Sequence, residues 1–524
     1  MSHSTVSFRR RDDWSIRPSH SSSQFYGRTE SKKPTFPSFG WRRTVSAILD
    51  GGQSDEANYR TSAGLQHFER TVFTHGLIRP LIFAVGSLAA GLLLLGAVAL
   101  LVNLSWFDAT LHPELERLKK VDPPLLEKNA YPIALGFVAA DDRDPRAAGA
   151  KILQALHERF LRGEPISLDP EEMNTFLGGE AKRDDWQNRF KSLDCVARVD
   201  LDCADRAIAE VTPTDAQDAR LAVLSNRYES MIHEERFVES QERDASTPGP
   251  QYKRILDVGR IRLAMSLRQG STSDLLTKAA DDFRFWTSML REGDTLVAKM
   301  ISIAGIQNTL DFLSALMRQR ELTESEILSI RDFLRPMTSE ELDIGEAFLS
   351  EARIAVLSEK LPEATSSSWL IRWTLQENAS LNEQYLKVIV PMQRRSALTP
   401  EEFYRQGANL PLNHDLGDFP LSPFNWGGRM AFRESNWDPE QFVARVQDEN
   451  GRISLVMLQA ELEQQPGAGV RAVVSSSRWR NPYTGEPMEY DPESQTIGFM
   501  CLHTAYHPPA SPDRCSIAIE PKRN

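Results

Sequence analysis

The chain is short of cysteine, with four in 524 residues, and short of positive charge, with 61 Lys and Arg against 73 Asp and Glu. So few cysteines exclude a disulfide-dense mini-protein. A net charge of -12 argues against a general nucleic-acid binder, because phosphate binding needs clustered Lys and Arg. Glycine (29) and proline (30) are too few for collagen or for wholesale disorder. The phosphate-binding loop, the Gly-x-Ser-x-Gly elbow and the dinucleotide-binding glycine fingerprint are all missing. What is present is an ordinary composition, 41% hydrophobic, at a length that allows two or three domains.

Long apolar runs are scarce too, and one stands out. Leu81 to Val102 reads LIFAVGSLAAGLLLLGAVALLV, with Ser87 as its one polar side chain, and no charge falls between Arg79 and Asp108. As a helix it rises about 33 Å, enough to cross a hydrocarbon core of about 30 Å. The run starts too late and is too long for a cleaved signal peptide. The expectation is a single-pass membrane protein with the bilayer as its first partner. Ser87 and Gly91, like Gly86 and Ala90, are four apart, a spacing that suits close approach of two helices and a homodimer. Such residues are also ordinary in membrane helices.

Charge divides around this run. Residues 1–80 hold twelve basic and seven acidic residues, net +5, and the rest of the chain carries -17. The basic excess places the N-terminus in the cytoplasm, although near the run Arg60, Arg70 and Arg79 are matched by Arg117, Lys119 and Lys120. All four cysteines follow the run, as two close pairs, Cys195 with Cys203 and Cys501 with Cys515. In an exported region this predicts two local disulfides, with unrelated buried thiols as the alternative. Neither pair has the CxxC spacing of a zinc site.

The expected organisation is a disordered basic tail at 1–76, a transmembrane helix at 77–105 and a Pro-interrupted stalk at 106–144 with one helical turn near Glu114 to Lys120. A helical domain follows at 145–409, then a C-terminal region at 410–524. Helix starts recur at Asp169-x-x-Glu172, Thr214-x-x-Gln217, Thr323-x-x-Glu326, Thr338-x-x-Glu341 and Thr399-x-x-Glu402. Apolar residues between them keep a three- and four-residue spacing, as in Leu275, Ala279, Phe283, Trp286 and Leu290. The fold class is mainly α: helical hairpins in a bundle or an irregular solenoid without a fixed repeat. After Leu410 the pattern predicts a long loop, helices near 438–448 and 450–465, and a small antiparallel β element over 485–519 held by Cys501 and Cys515.

Chemistry-bearing constellations are few. Arg433-Glu434-Ser435-Asn436-Trp437-Asp438-Pro439 resembles the Glu-Ser-x-aromatic-x-Pro opening of lytic transglycosylases, helical enzymes that cut the peptidoglycan sugar backbone. The resemblance implies Glu434 as general acid and base. The family's Gly-Leu-Met-Gln stretch is replaced by Asp448-Glu449-Asn450, and its later Tyr-Asn-Ala-Gly motif is absent. The plain alternative is a helix start at Asp438-Pro439-Glu440. His503 and His507 are four apart, but Pro508 and Pro509 follow, so a helical metal pair is not expected. His157-Glu158 and His233-Glu234 lack the second His of a zinc-protease helix, and Asp200-Leu201-Asp202 reads as a surface turn. No metal and no cofactor is expected.

Three further blocks carry a second resemblance. They are Asn129-Ala130-Tyr131 with Leu135-Gly136-Phe137, Asp144-Pro145 and Gly149; Asn425-Trp426-x-Gly428-Arg429; and Asn481 to Met488. With the aromatic-rich helices over 280–317, they resemble uncharacterised single-pass envelope proteins of Gram-negative bacteria. That resemblance implies an inner-membrane protein with a periplasmic body, and brings no catalytic residue. The function expected is a non-enzymatic scaffold that binds an envelope protein partner and no nucleic acid. The alternatives are a transglycosylase-like enzyme using Glu434, and a transmembrane sensor, although residues 1–76 hold no recognisable output domain.

Overall fold

The computed structural model describes residues 69–103, 105–179, 190, 201–240, 242–243, 247–358, 374–407, 424–429, 439–465, 467–502 and 514–519. The chain divides into two units, residues 1–85 and 86–524. The boundary falls inside helix α1, Glu69–Val102, which contains Pro80. Within α1, Ile82–Val102 is long and apolar enough to cross a membrane by length and composition, and none of it is buried.

The larger unit is mainly helical. Its first part runs through α2 (Pro113–Arg117), α3 (Ala130–Leu135), α4 (Pro145–Leu161), α5 (Pro170–Leu177), α6 (Cys203–Glu210) and α7 (Ala219–Ile232). The long core helices are α8 (Tyr252–Gln269), α9 (Thr272–Glu292) and α10 (Leu296–Gln319). Then come α11 (Glu324–Phe333), α12 (Ser339–Leu342), α13 (Gly345–Leu357), α14 (Glu377–Gln384), α15 (Val390–Ser396), α16 (Pro400–Gly407), α17 (Glu440–Glu463) and α18 (Val470–Ser476). Helices α6, α8, α9 and α17 pack around α10, and the buried apolar residues form one continuous cluster from Leu115 to Ile517.

Local chemistry explains most helix starts. Reciprocal capping boxes join Asp169 to Glu172, Thr323 to Glu326 and Thr338 to Glu341. Thr399 and Glu402 exchange the same bonds ahead of α16. Thr214 does not follow the pattern, because its hydroxyl bonds Thr212. Asp218 caps α7 instead, accepting from the Leu221 N–H at 3.0 Å. Between α14 and α15, Tyr385–Ile389 is a π turn, and the Val390 N–H reaches back five residues to the Tyr385 carbonyl. Pro391, next in the chain, can neither donate to nor fit under the carbonyl four residues earlier, and the wider turn makes room for it.

Residues 106–144, expected to form a stalk, carry α2 and α3, and Ala130 to Ala139 are buried. Asn129 caps α3 through Tyr131 and also bonds both backbone groups of Val238. Added Cβ atoms at Gly136 and Gly149 would overlap the backbone carbonyls of Pro145 and Pro132, so glycines let α3 and α4 touch. The Arg227 guanidinium then donates to four carbonyls, those of Phe137, Ala139, Ala140 and Arg143.

In the C-terminal region, α17 is one helix where the sequence predicts two. Gly451 lies inside this helix, where a glycine costs about 1 kcal/mol. The Phe499 ring lies where a Gly451 side chain would be, so packing offsets that cost. The sheet is antiparallel in the order β1 (Glu489–Asp491), β2 (Thr496–Met500), β3 (Arg514–Ala518), with Glu489 opposite Gly498 and Phe499 opposite Cys515. Asn481 closes the preceding turn by bonding Tyr483, Gly485 and Glu486, with Gly485 at φ 70°. Cys501 and Cys515 form a disulfide beside this sheet.

Candidate functional site at the end of the apolar helix

The apolar helix joins the helical body without a free linker. Asn103 stands one residue past its end. The Asn103 Nδ2 donates to the Ala99 carbonyl at 2.6 Å, which closes the last turn. Its Oδ1 accepts from the Asn425 N–H at 2.8 Å. Asn425 holds a left-handed backbone, φ 51°, a conformation that asparagine tolerates better than most residues. The Asn425 Oδ1 accepts from the Gln376 N–H and the Ser380 hydroxyl, both at 3.0 Å.

Asp108 supplies the second pin. Gln376, at the start of α14, makes no side-chain capping bond. The cap comes from 270 residues away: the Asp108 carboxylate accepts from the N–H groups of Asn378 and Ala379, each at 3.0 Å. A carboxylate at a helix N-terminus meets unsatisfied donors and the positive end of the helix dipole together. Asn382 adds a third pin, accepting from the His112 N–H at 2.7 Å and donating to the Thr110 carbonyl at 2.8 Å. The His112 ring packs against Tyr385 at 4.8 Å between centroids. Burial, and then the Glu114 charge, raise the Tyr385 hydroxyl above its ordinary pKa. Chemically the site is a set of amide and carboxylate clamps. It fixes Asn103 and residues 105–112 onto the start of α14.

Ionisable side chains are also buried around α10. Lys299 donates to the Leu290 and Arg291 carbonyls in the last turn of α9. Burial brings its pKa down to about 8, against the pull of Asp294 and Glu239. Arg318 pairs with Asp205 at 2.7 Å, Arg452 with Asp311 at 3.0 Å, and Gln307 donates to Glu449 at 2.9 Å. Burial pushes Asp311 up to about 6 and Glu449 up to about 7, in both cases against Arg452. Asp282 rises to about 7 for the same reason, opposed by Arg262. Asp294 rises to about 6 through burial and then the Glu239 charge. Glu239 accepts from the Thr295 N–H and hydroxyl at 2.9 and 2.8 Å and pairs with Arg243. These groups tie helices to one another across the core, and sequence spacing does not reveal them.

Of the residues singled out in the sequence, Glu434 and the whole Arg433 to Asp438 motif lie outside the described residues, as do His503, His507 and Cys195. Cys203 opens α6 and is disulfide-bonded. Asp448 lies within reach of Cys501 and Cys515. The two sulfurs are joined to each other and offer no thiolate, while Asp448 is engaged by the Tyr483 hydroxyl and the Leu502 N–H. His157 pairs with Glu242, and His233 ends α7. Asn425 belongs to a block that the sequence already marks out. Asn103, Asp108 and Asn382 carry no sequence signal, since each is a lone polar residue whose partner is distant in the chain. No protein-family model, no curated protein and no solved structure matches the chain.

Proposed function

We propose that the chain is a single-pass membrane protein that works as a scaffold or interaction module of the bacterial cell envelope, rather than as an enzyme. The observation that carries this reading is the apolar segment Ile82–Val102, none of it buried, followed at once by the Asn103 clamp. A soluble protein rarely leaves about twenty consecutive apolar residues in water. In this reading the basic tail lies in the cytoplasm and the acidic body in the periplasm. The change from +5 to -17 on passing residue 80 supports that orientation, and the Cys501–Cys515 disulfide suits an oxidising compartment. The pinned junction gives a partner-binding body a fixed base, and the envelope partner is itself a protein.

Topology fusions test the proposal. A C-terminal phosphatase fusion, active only outside the cytoplasm, is expected to be active, and a fluorescent protein that matures only in the cytoplasm is expected to stay dark at the same position. The reverse pattern rules out the proposed orientation. Release of muropeptides from peptidoglycan by the purified full chain, abolished by Glu434→Gln, would replace the scaffold reading with an enzymatic one.

A further inference from the structure

Trp106 is 87% exposed and Phe107 is 52% exposed. They are not on a loose tether. Ser105–Phe107 is a 3-10 turn between Asn103, bonded to Asn425, and Asp108, bonded to the first turn of α14. Two large rings therefore project from a segment pinned on both sides, directly after the apolar helix ends. Burying exposed aromatic surface is favourable, and tryptophan settles at the headgroup level, where its ring has an apolar body and a polar N–H.

We infer that Trp106 and Phe107 sit in the headgroup layer of the bilayer and that the pinned start of α14 lies on the lipid surface, so that the helical body rests on the membrane rather than standing off from it. This rests on the membrane-spanning reading above. The length of chain carries the argument. Asp108 is two residues beyond Trp106, and two residues reach at most about 7 Å. The Asp108 carboxylate bonds Asn378 and Ala379, so the first turn of α14 cannot leave the interface while Trp106 remains in it. Glu377, beside those residues, is exposed. The occupant of this face is the lipid headgroup layer on the C-terminal side of the span.

The test uses the full chain reconstituted into vesicles of phosphatidylethanolamine and phosphatidylglycerol. A fluorophore is attached at Glu377→Cys, and quenching by a nitroxide on the lipid headgroup is measured together with flotation of the vesicles. Strong quenching is expected, with most of it lost when Asn103→Ala, Asp108→Ala and Asn382→Ala together release the clamp. Trp106→Ser with Phe107→Ser, which leaves the clamp intact, is expected to reduce it by a smaller factor and guards against a clamp variant that misfolds. A protein that floats with the vesicles but shows no quenching at 377 overturns the docked body and leaves the span standing. Quenching that neither set of substitutions changes also overturns it. A protein that does not float removes the span and this inference together.

Discussion

Among the described residues, two helices are long and apolar enough to cross a membrane, and they end up in opposite surroundings. Ile82–Val102 has nothing buried, while Leu296–Gln319 is 72% buried. The first has no charge. The second carries Lys299, Asp311 and Arg318, each bonded to a neighbouring element. Glycines repeat the contrast. An added Cβ at Gly86, Gly91 or Gly96 meets nothing, whereas at Gly305 it would meet the Trp286 ring at 2.2 Å. Mean apolarity does not separate a core helix from a lipid-facing one. The separation lies in whether the polar positions find partners, because a protein interior supplies matched side chains and lipid does not.

Substitutions can sharpen that contrast or break it. The largest effect is expected for Arg318→Met, which removes the main partner of a buried Asp205 carboxylate. A loss of about 3 kcal/mol in urea unfolding is expected, and a loss near zero would show that α10 tolerates a lipid-like composition. Leu93→Arg, in the middle of the exposed segment, should disfavour membrane insertion by about 3 kcal/mol in a translocation assay. It should leave the unfolding midpoint of the body unchanged, and a shift there would mean that this segment packs on protein. Gly305→Ala should destabilise by about 2 kcal/mol through overlap with Trp286, against no measurable change for Gly91→Ala. Asp108→Ala removes the distant cap on α14 and should cost about 1 kcal/mol.

A separate effect is a pH dependence that belongs to the core. Burial raises Asp282, Asp294, Asp311 and Glu449 to between about 6 and about 7. In that range the folded chain holds protons that the unfolded chain has released. These four groups therefore stabilise the fold as pH falls through their raised values, and the effect fades as pH rises above them. The thermal midpoint should be higher near pH 5.5 than near pH 7.5, and Glu449→Gln should flatten the difference. A midpoint that falls on acidification over that range would show that the four carboxylates are ionised in the fold.

Much of the architecture was legible one element at a time. The caps at Asp169, Thr323 and Thr338, the β element near 488–519 and the turn at Asn481 all follow from chemistry within a few residues. Failures came where a distant residue reverses a local preference. The helix expected to be interrupted at 449 runs unbroken past Gly451, which Phe499 covers, and Thr214 reads as a cap until Thr212 takes its hydroxyl. The junction was the least legible part, because Asp108 has no local pattern that pairs it with Asn378.

The amino-acid sequence alone determined the uncharged helix, the basic and acidic halves around it and the predominance of helix, because each depends on composition or on spacing of three and four residues. Tertiary structure alone decided which apolar helix is covered, which buried charges are matched and how Asn103 and residues 105–112 are held. Those outcomes depend on pairs such as Asp108 with Ala379 and Arg318 with Asp205. Their bonds form only when chain folding brings the partners within about 3 Å, and no spacing rule along the chain encodes that distance.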